Sequence, residues 1–327
     1  MAKKKTGKGK KKGGAKVVRP VRPNVLANNQ DLRPVAKKSG PPKKDHVRAV
    51  CSVTDPFCPA AKNTKWPDGT AGNTLTEQFR GNVTITSNAT GRACYAFAPG
   101  APYGYLSSAV DTATPPVATM AATYSSYKTT SMLSTYGGAF RVVSFGVIFR
   151  CVASATAAAG TITLGTIAGV APNVTITQGE ELYDEVVVKA IQPGMEIAWV
   201  SVPRGTGARD FGALSTTAGL NIPDWTCCVA EISGAGNAVA AVNAEWYMNI
   251  EFLANQTSRG LTSIAKPNPP RSPAAETATS TIHSTLGSFV EGGIAQVESA
   301  IMREASSALT TFTRDPLSSL SALFAFM

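Results

Sequence analysis

The residues whose type and spacing most plainly carry chemistry lie near the start of the chain: Lys3, Lys4, Lys5, Lys8, Lys10, Lys11, Lys12, Lys16, Arg19, Arg22, Arg33, Lys37, Lys38, Lys43 and Lys44. Gly and Pro separate them, and positions 1–50 contain no aromatic residue. Cations at this density neutralise phosphates and release condensed counterions. The segment should therefore bind a polyanion tightly at low salt and lose it steeply as salt rises. With no ring to stack on bases, it should not read sequence. Other reactive residue types are sparse. His46 and His283 both lie outside the stretch that reads as core, which argues against histidine catalysis and histidine metal sites. Cys51, Cys58, Cys94, Cys151, Cys227 and Cys228 show no paired C-x-x-C spacing, so they read as reduced and mostly buried rather than as a zinc site or disulfide scaffold. The carboxylates of Glu180, Glu181, Asp184 and Glu185 have the hard oxygens calcium takes, but a loop between strands would look the same. They define no metal site.

The charge is divided along the chain. Of 327 residues, the first fifty hold sixteen Lys or Arg against two acids, and the rest hold fifteen against nineteen, so +14 is followed by −4. Residues 1–50 cannot bury enough apolar surface to offset roughly 1–2 kcal/mol per residue of backbone entropy, and are expected to be disordered alone. No apolar run follows the first lysines, so they do not read as a secretory signal, and no apolar run of about 18 residues suggests a membrane-spanning helix.

Positioning elements follow. Residues 51–78, with Phe57, Trp66 and the prolines Pro56, Pro59 and Pro67, read as an ordered but irregular segment. Residues 79–254 read as an all-β domain, with strands expected at Phe79–Ser87, Arg92–Ala98, Val117–Thr123, Phe140–Ser154, Thr161–Ile167, Tyr183–Ala190, Met195–Val202, Trp225–Ser233 and Val239–Ala254. Trp246, Met248, Ile250 and Phe252 alternate with Glu245, Tyr247, Asn249 and Glu251, and Val143, Phe145, Val147 and Phe149 share a face. The connections are too short for crossover helices, so an antiparallel sandwich or jelly roll is expected. Residues 255–327 read as a Pro-rich connector, then an amphipathic helix carrying Leu286, Phe289, Val290, Ile294, Val297, Ile301, Ala305, Leu309 and Phe312, weakened by Gly287, Gly292 and Gly293. Its net charge is negative, unlike the basic faces of most membrane-surface helices.

Taken together, the block AVCSVTDPFCPAAKNTKWPDG, the strand pair FRVVSFGVIFRCVASATAAAGTITLGTI, the closing strand WYMNIEFLAN and the ending SLSALFAFM resemble the single-jelly-roll coat proteins of small RNA viruses, nearest the nodavirus-like and tombusvirus-like group. The resemblance runs through nearly the whole chain in order. It implies an eight-stranded antiparallel jelly roll that packs with copies of itself into an icosahedral shell with T=3-like packing. The basic arm would lie inside on single-stranded RNA, with the protein made and assembled in host cytoplasm and found in the virion. No cofactor would be required. Calcium between subunits and contact of the C-terminal helix with a host membrane are further family traits, neither mapped to residues here. Nodavirus coat proteins also cleave themselves at an Asn–Ala bond with help from a buried Asp. By motif order that acid would be Asp55, yet no Asn–Ala bond follows the β domain, and only Asn255–Gln256 and Asn268–Pro269 stand in that region. The other reading of Asp55 is a turn-former before Pro56. A cellular nucleic-acid-binding protein with a β-sandwich interaction domain is the second functional reading, and particle assembly separates the two.

Overall fold

The structure, a computed structural model, describes residues 44–59, 61, 64–69, 72–99, 107–109, 117–119, 137–167, 175–177, 183–213, 224–254, 264–291 and 294–314. The basic positions from Lys3 to Lys43 therefore lie outside the described residues, as do Glu180, Glu181, Asn255 and the SLSALFAFM ending. The elements begin with α1 (Lys44–Thr54), β1 (Asn73–Thr86), β2 (Ala93–Phe97), β3 (Ser107–Ala109), β4 (Val117–Thr119) and β5 (Gly137–Cys151). Next come β6 (Thr161–Ile167), β7 (Thr175–Thr177), β8 (Glu185–Ala190), β9 (Glu196–Val200), β10 (Gly212–Ala213), β11 (Cys227–Ser233) and β12 (Ala240–Ala254). Last are β13 (Lys266–Pro267), α2 (Pro273–Leu286), β14 (Phe289–Glu291) and α3 (Ile294–Arg314).

The long strands make two antiparallel sheets, one running β1-β12-β5-β9 and the other β2-β11-β6-β8. Sequence neighbours β1 and β2, β5 and β6, β8 and β9, and β11 and β12 each cross from one sheet to the other. That order is the eight-stranded jelly roll expected from the sequence. The short strands extend it: β13 and β14 close the ends of the first sheet, β10 pairs with β5, β3 pairs with β2, and β4 and β7 pair together.

Phe79, Phe97, Phe145, Phe149, Leu164, Ile197, Trp199, Met248 and Ile250 fill the space between the sheets. Phe97 and Phe149 meet edge to face at 5.5 Å. The Trp199 indole N–H, which burial would otherwise orphan, donates to Thr166 Oγ1 at 3.0 Å. Among the described residues no disulfide joins the six cysteines, and Cys227 and Cys228 are fully buried on β11 as expected.

Three expectations are corrected. First, residues 44–50, assigned from sequence to the arm, form the first turns of α1. Second, the single C-terminal helix is two helices separated by a strand. Gly287, at φ 65°, ends α2, and Phe289–Glu291 then pairs with Trp199, Ala198 and Ile197 of β9. The apolar spacing continues through the break, but a left-handed residue and the free edge of β9 take those side chains into the sheet. Third, Val143 does not share a face with Phe145. The β5–β12 register slips between Ser144↔Asn249 and Val142↔Ile250, a β-bulge that turns Val142 into the core and Val143 outward against Val53 and Trp66.

Candidate functional site on the helix-covered sheet face

The bulge decides where the charges go. Strict alternation would send Arg141 to the same side as Phe145 and Phe149, into the sandwich core. With one residue absorbed, Arg141 stands opposite Glu251 on the outer face of the first sheet. Its Nε and Nη2 donate to Glu251 Oε2 at 2.9 and 2.7 Å, and both residues are buried, at 2% and 0% exposure. Arg141 Nη1 donates to the Asp68 carboxylate and, at 3.0 Å, to the carbonyl of Arg209, and the guanidinium lies 4.4 Å from the Phe211 ring centroid.

Around this pair the polar groups close on one another. Thr74 Oγ1 sits 2.5 Å from Glu251 Oε1 and 2.6 Å from Asn268 Oδ1. Asn268 Nδ2 donates to Asp68 Oδ1 at 3.2 Å and to the Trp66 carbonyl at 3.4 Å. Lys65 donates to the carbonyls of Thr74, at 2.6 Å, and Lys266. Burial lowers the Lys65 pKa, and the Glu251 charge opposes that shift. Arg209 lies over the Trp66 ring at 3.4 Å, and burial pulls its pKa down to about 10. Residues 65–68 and 266–268, remote in sequence, are thereby pinned to the same patch of sheet.

Farther along that face the chain docks by shape. Asp55 Oδ1 accepts the Phe57 N–H at 2.8 Å, turning the chain after α1 at Pro56. The Pro56 carbonyl accepts from Gln78 Nε2 and Asn249 Nδ2, each at 3.1 Å, and Phe57 meets Tyr247 edge to face at 5.3 Å. The turn fits because β5 has Gly146 beneath it: a Cβ there would stand 2.5 Å from Pro56, 2.7 Å from Phe57 and 2.8 Å from the Trp199 carbonyl. Asn249 and Glu251 belong to the polar set of alternating residues on β12. The N-terminal segment covers both, so the first sheet is buried on two sides.

Helices complete the cover. Val50 and Cys51 of α1, Ala275, Ala278 and Ile282 of α2, and Val297, Ile301 and Ala305 of α3 form one apolar cluster with Ile148, Ala198 and Val200 of the sheet. The three-and-four spacing on α2 and α3 explains why those faces bury. Small residues on α2 allow close approach. Ser272 caps α2 by accepting the Ala275 N–H at 3.3 Å, with Pro273 next and Glu276 in the first turn.

His283, expected to lie outside the core, is half-buried on α2. Burial pushes its pKa from 6.5 down to about 4, with the Arg209 charge adding to the shift. Below pH 6.5 the unfolded chain takes a proton that the folded chain resists. Stability therefore falls between pH 6.5 and about pH 4, by about 3 kcal/mol in full. Urea unfolding at pH 7 and pH 4.5 should show a larger acid loss for the wild type than for His283→Gln; equal losses would assign the acid sensitivity elsewhere.

Of the residues the sequence marks as functional, Lys44 opens α1 and Asp55 is buried in the turn after it. Asp68, which the sequence reading passed over, accepts a hydrogen bond from the Asn268 side chain. Its signal was the Asp-Gly of WPDG, a turn that brings a carboxylate back to the sheet. Asp184 pairs with Arg204 at 2.8 Å, and Glu185 Oε2 accepts the Ser288 N–H at 2.7 Å. Among the described residues no three His, Cys, Asp or Glu side chains gather closely enough to hold a metal ion. No described helix is long and apolar enough to cross a membrane.

The fold is a viral-capsid-type jelly roll with one sheet backed by helices from both ends of the chain. No protein-family model matches the sequence, and no curated protein matches it. Solved structures do match in fold. A chain of the T13 particle of infectious bursal disease virus aligns with a TM-score of 0.53 at 10% identity, over 84% of this chain and 99% of that one. T=1 particles derived from the same virus give 0.50 at 10% identity, over 83% and 96%. Its VP2 subviral particle gives 0.50 at 9% identity, over 72% and 93%.

Proposed function

We propose that the protein is the coat protein of a small RNA virus. In this reading it is a structural, self-assembling protein that builds an icosahedral shell and gathers single-stranded RNA through the cations at Lys3–Lys44. One observation carries the reading. A jelly roll of the kind found in infectious bursal disease virus particles follows, in the chain, residues 1–50 of +14 charge, the last seven of which open α1 on the helix-covered face, while the remaining residues sum to −4. Such a division separates two tasks: the cationic segment meets the genome, and the weakly charged body meets copies of itself. The helix-covered face would then look inward.

Within this class, the order of basic arm, inner segment, jelly roll and C-terminal helix favours the nodavirus-like and tombusvirus-like group, with T=3-like packing. The protein would be made and assembled in host cytoplasm and reside in the virion. Membrane contact by α3 would require Val297, Ile301 and Ala305 to leave the layer they now fill.

Electron microscopy of the purified protein tests the proposal. Closed particles of uniform diameter are expected. A monodisperse monomer that binds RNA reversibly would overturn it in favour of a cellular nucleic-acid-binding protein.

A further inference from the structure

Strand β8 is the last strand of its sheet: among the described residues only β6 pairs with it. The β6 register, together with the Ile191 N–H donated to the Gly160 carbonyl, sets its hydrogen-bonding phase. Glu185, Val187 and Lys189 turn their backbone groups toward β6, so Val186, Val188 and Ala190 turn theirs toward the open edge. The side chains of Val186 and Val188 are 37% and 50% exposed. An edge with unpaired amides and exposed valines is a template for another strand.

Proteins commonly blunt such an edge with a charge, and Lys189 is one. In one arrangement that charge meets its opposite across the edge. Residues 185–189 read Glu-Val-Val-Val-Lys, a sequence complementary to itself when reversed. We propose that β8 pairs antiparallel with β8 of a second copy of this chain, across a two-fold axis through Val187. This would join the sheet β2-β11-β6-β8 to its counterpart.

Glu185 then faces Lys189 of the partner subunit, and Val187 faces Val187 of the partner subunit. Val186 hydrogen-bonds with Val188 of the partner subunit, so two of the three residues whose amides and carbonyls point outward satisfy each other. Moving the axis to Val186 or Val188 keeps the hydrogen-bonding phase but sets Glu185 or Lys189 against a valine. Only the Val187 axis matches charge with charge and apolar with apolar. Glu185 is already fixed by the Ser288 N–H, which limits the ordering cost of that contact. The contact is isologous, each copy offering the same patch. It requires two copies, not a shell.

Cysteine cross-linking in the full-length protein tests both contact and register. At the axis the two Cα atoms would lie about 4.5 Å apart, within reach of a disulfide. Val187→Cys should become a disulfide-linked dimer as its main oxidised species, while the wild type, with its six native cysteines, and Val152→Cys, exposed on another strand end, should not. Because Val187 packs partly on the core, a second arm avoids it. Chains carrying Val186→Cys mixed with chains carrying Val188→Cys should cross-link to each other, and Val188→Cys alone far less. No cross-linking above Val152→Cys in either arm would overturn the inference. Microscopy of the same samples keeps the two proposals apart. Shells without the cross-link would retire this contact and leave the coat reading, whereas cross-linked dimers without shells would do the reverse.

Discussion

Arg141→Ala should cost about 3–5 kcal/mol of folding free energy, read as a lower urea midpoint with an unchanged slope. The size follows from what would be left behind. Glu251 has no exposed surface, and Arg141 supplies two of its hydrogen bonds, so truncation strands a carboxylate in low dielectric. The same change removes the donors that hold Asp68 and the Arg209 carbonyl, loosening residues 65–68 from the sheet. Replacing both partners at once, as Arg141→Met with Glu251→Leu, should recover much of the loss, because a buried ion pair is often no better than a well-packed apolar pair. Thr74 would limit that recovery by losing its carboxylate neighbour. A loss below about 1 kcal/mol for Arg141→Ala would mean that water reaches the pair, as at an exposed salt bridge.

Deleting residues 1–43 should remove nearly all RNA from the purified protein while leaving the far-ultraviolet circular dichroism of the β domain intact. For the full-length chain, fourteen net charges at roughly 0.7 per phosphate on a single strand give a log-affinity against log-salt slope on the order of −10. The shortened chain should show a slope near zero, since what remains carries seventeen cations against twenty acids. Binding should also be indifferent to base sequence, as the segment has no aromatic residue. Equal RNA content and equal slopes in the two proteins would place the nucleic-acid contact on the β domain and remove the cationic segment from the mechanism.

The sandwich was legible because its main strands announce themselves through period-two alternation and turn residues; β6 falls at Thr161–Ile167, the span read from sequence. Other features were hidden for physical reasons. The bulge at Val143 inserts one residue without changing local composition, so the outward turn of Arg141 follows only from the pairing with β12. Helix α2 carried a readable start in Ser272, Pro273 and Glu276, but the surrounding prolines masked it. Strand β14 was read as helix because its apolar residues fit the helical spacing, and only the edge of β9 selects the extended form. For the candidate site, the cationic segment was plain from sequence. The cluster of Asp68, Thr74, Arg141, Glu251 and Asn268 was not, since its members lie up to 200 positions apart and meet only after both ends of the chain return to one sheet.

That return has a consequence for timing during synthesis. Cys51 of α1 touches Met302 of α3, 251 positions later, and α1 buries Val50 and Cys51 mainly against α2 and α3, which are translated after the jelly roll. While the ribosome is still making the jelly roll, α1 has a landing place on β5 but no roof. Long-range closures of this kind are slow, because the loop entropy is lost before the contact rewards it. On the proposed reading, the lysine-bearing segment thus acquires a fixed point of attachment only after α3 has been made, which would hold back any organised grip on nucleic acid until the jelly roll and its helices exist.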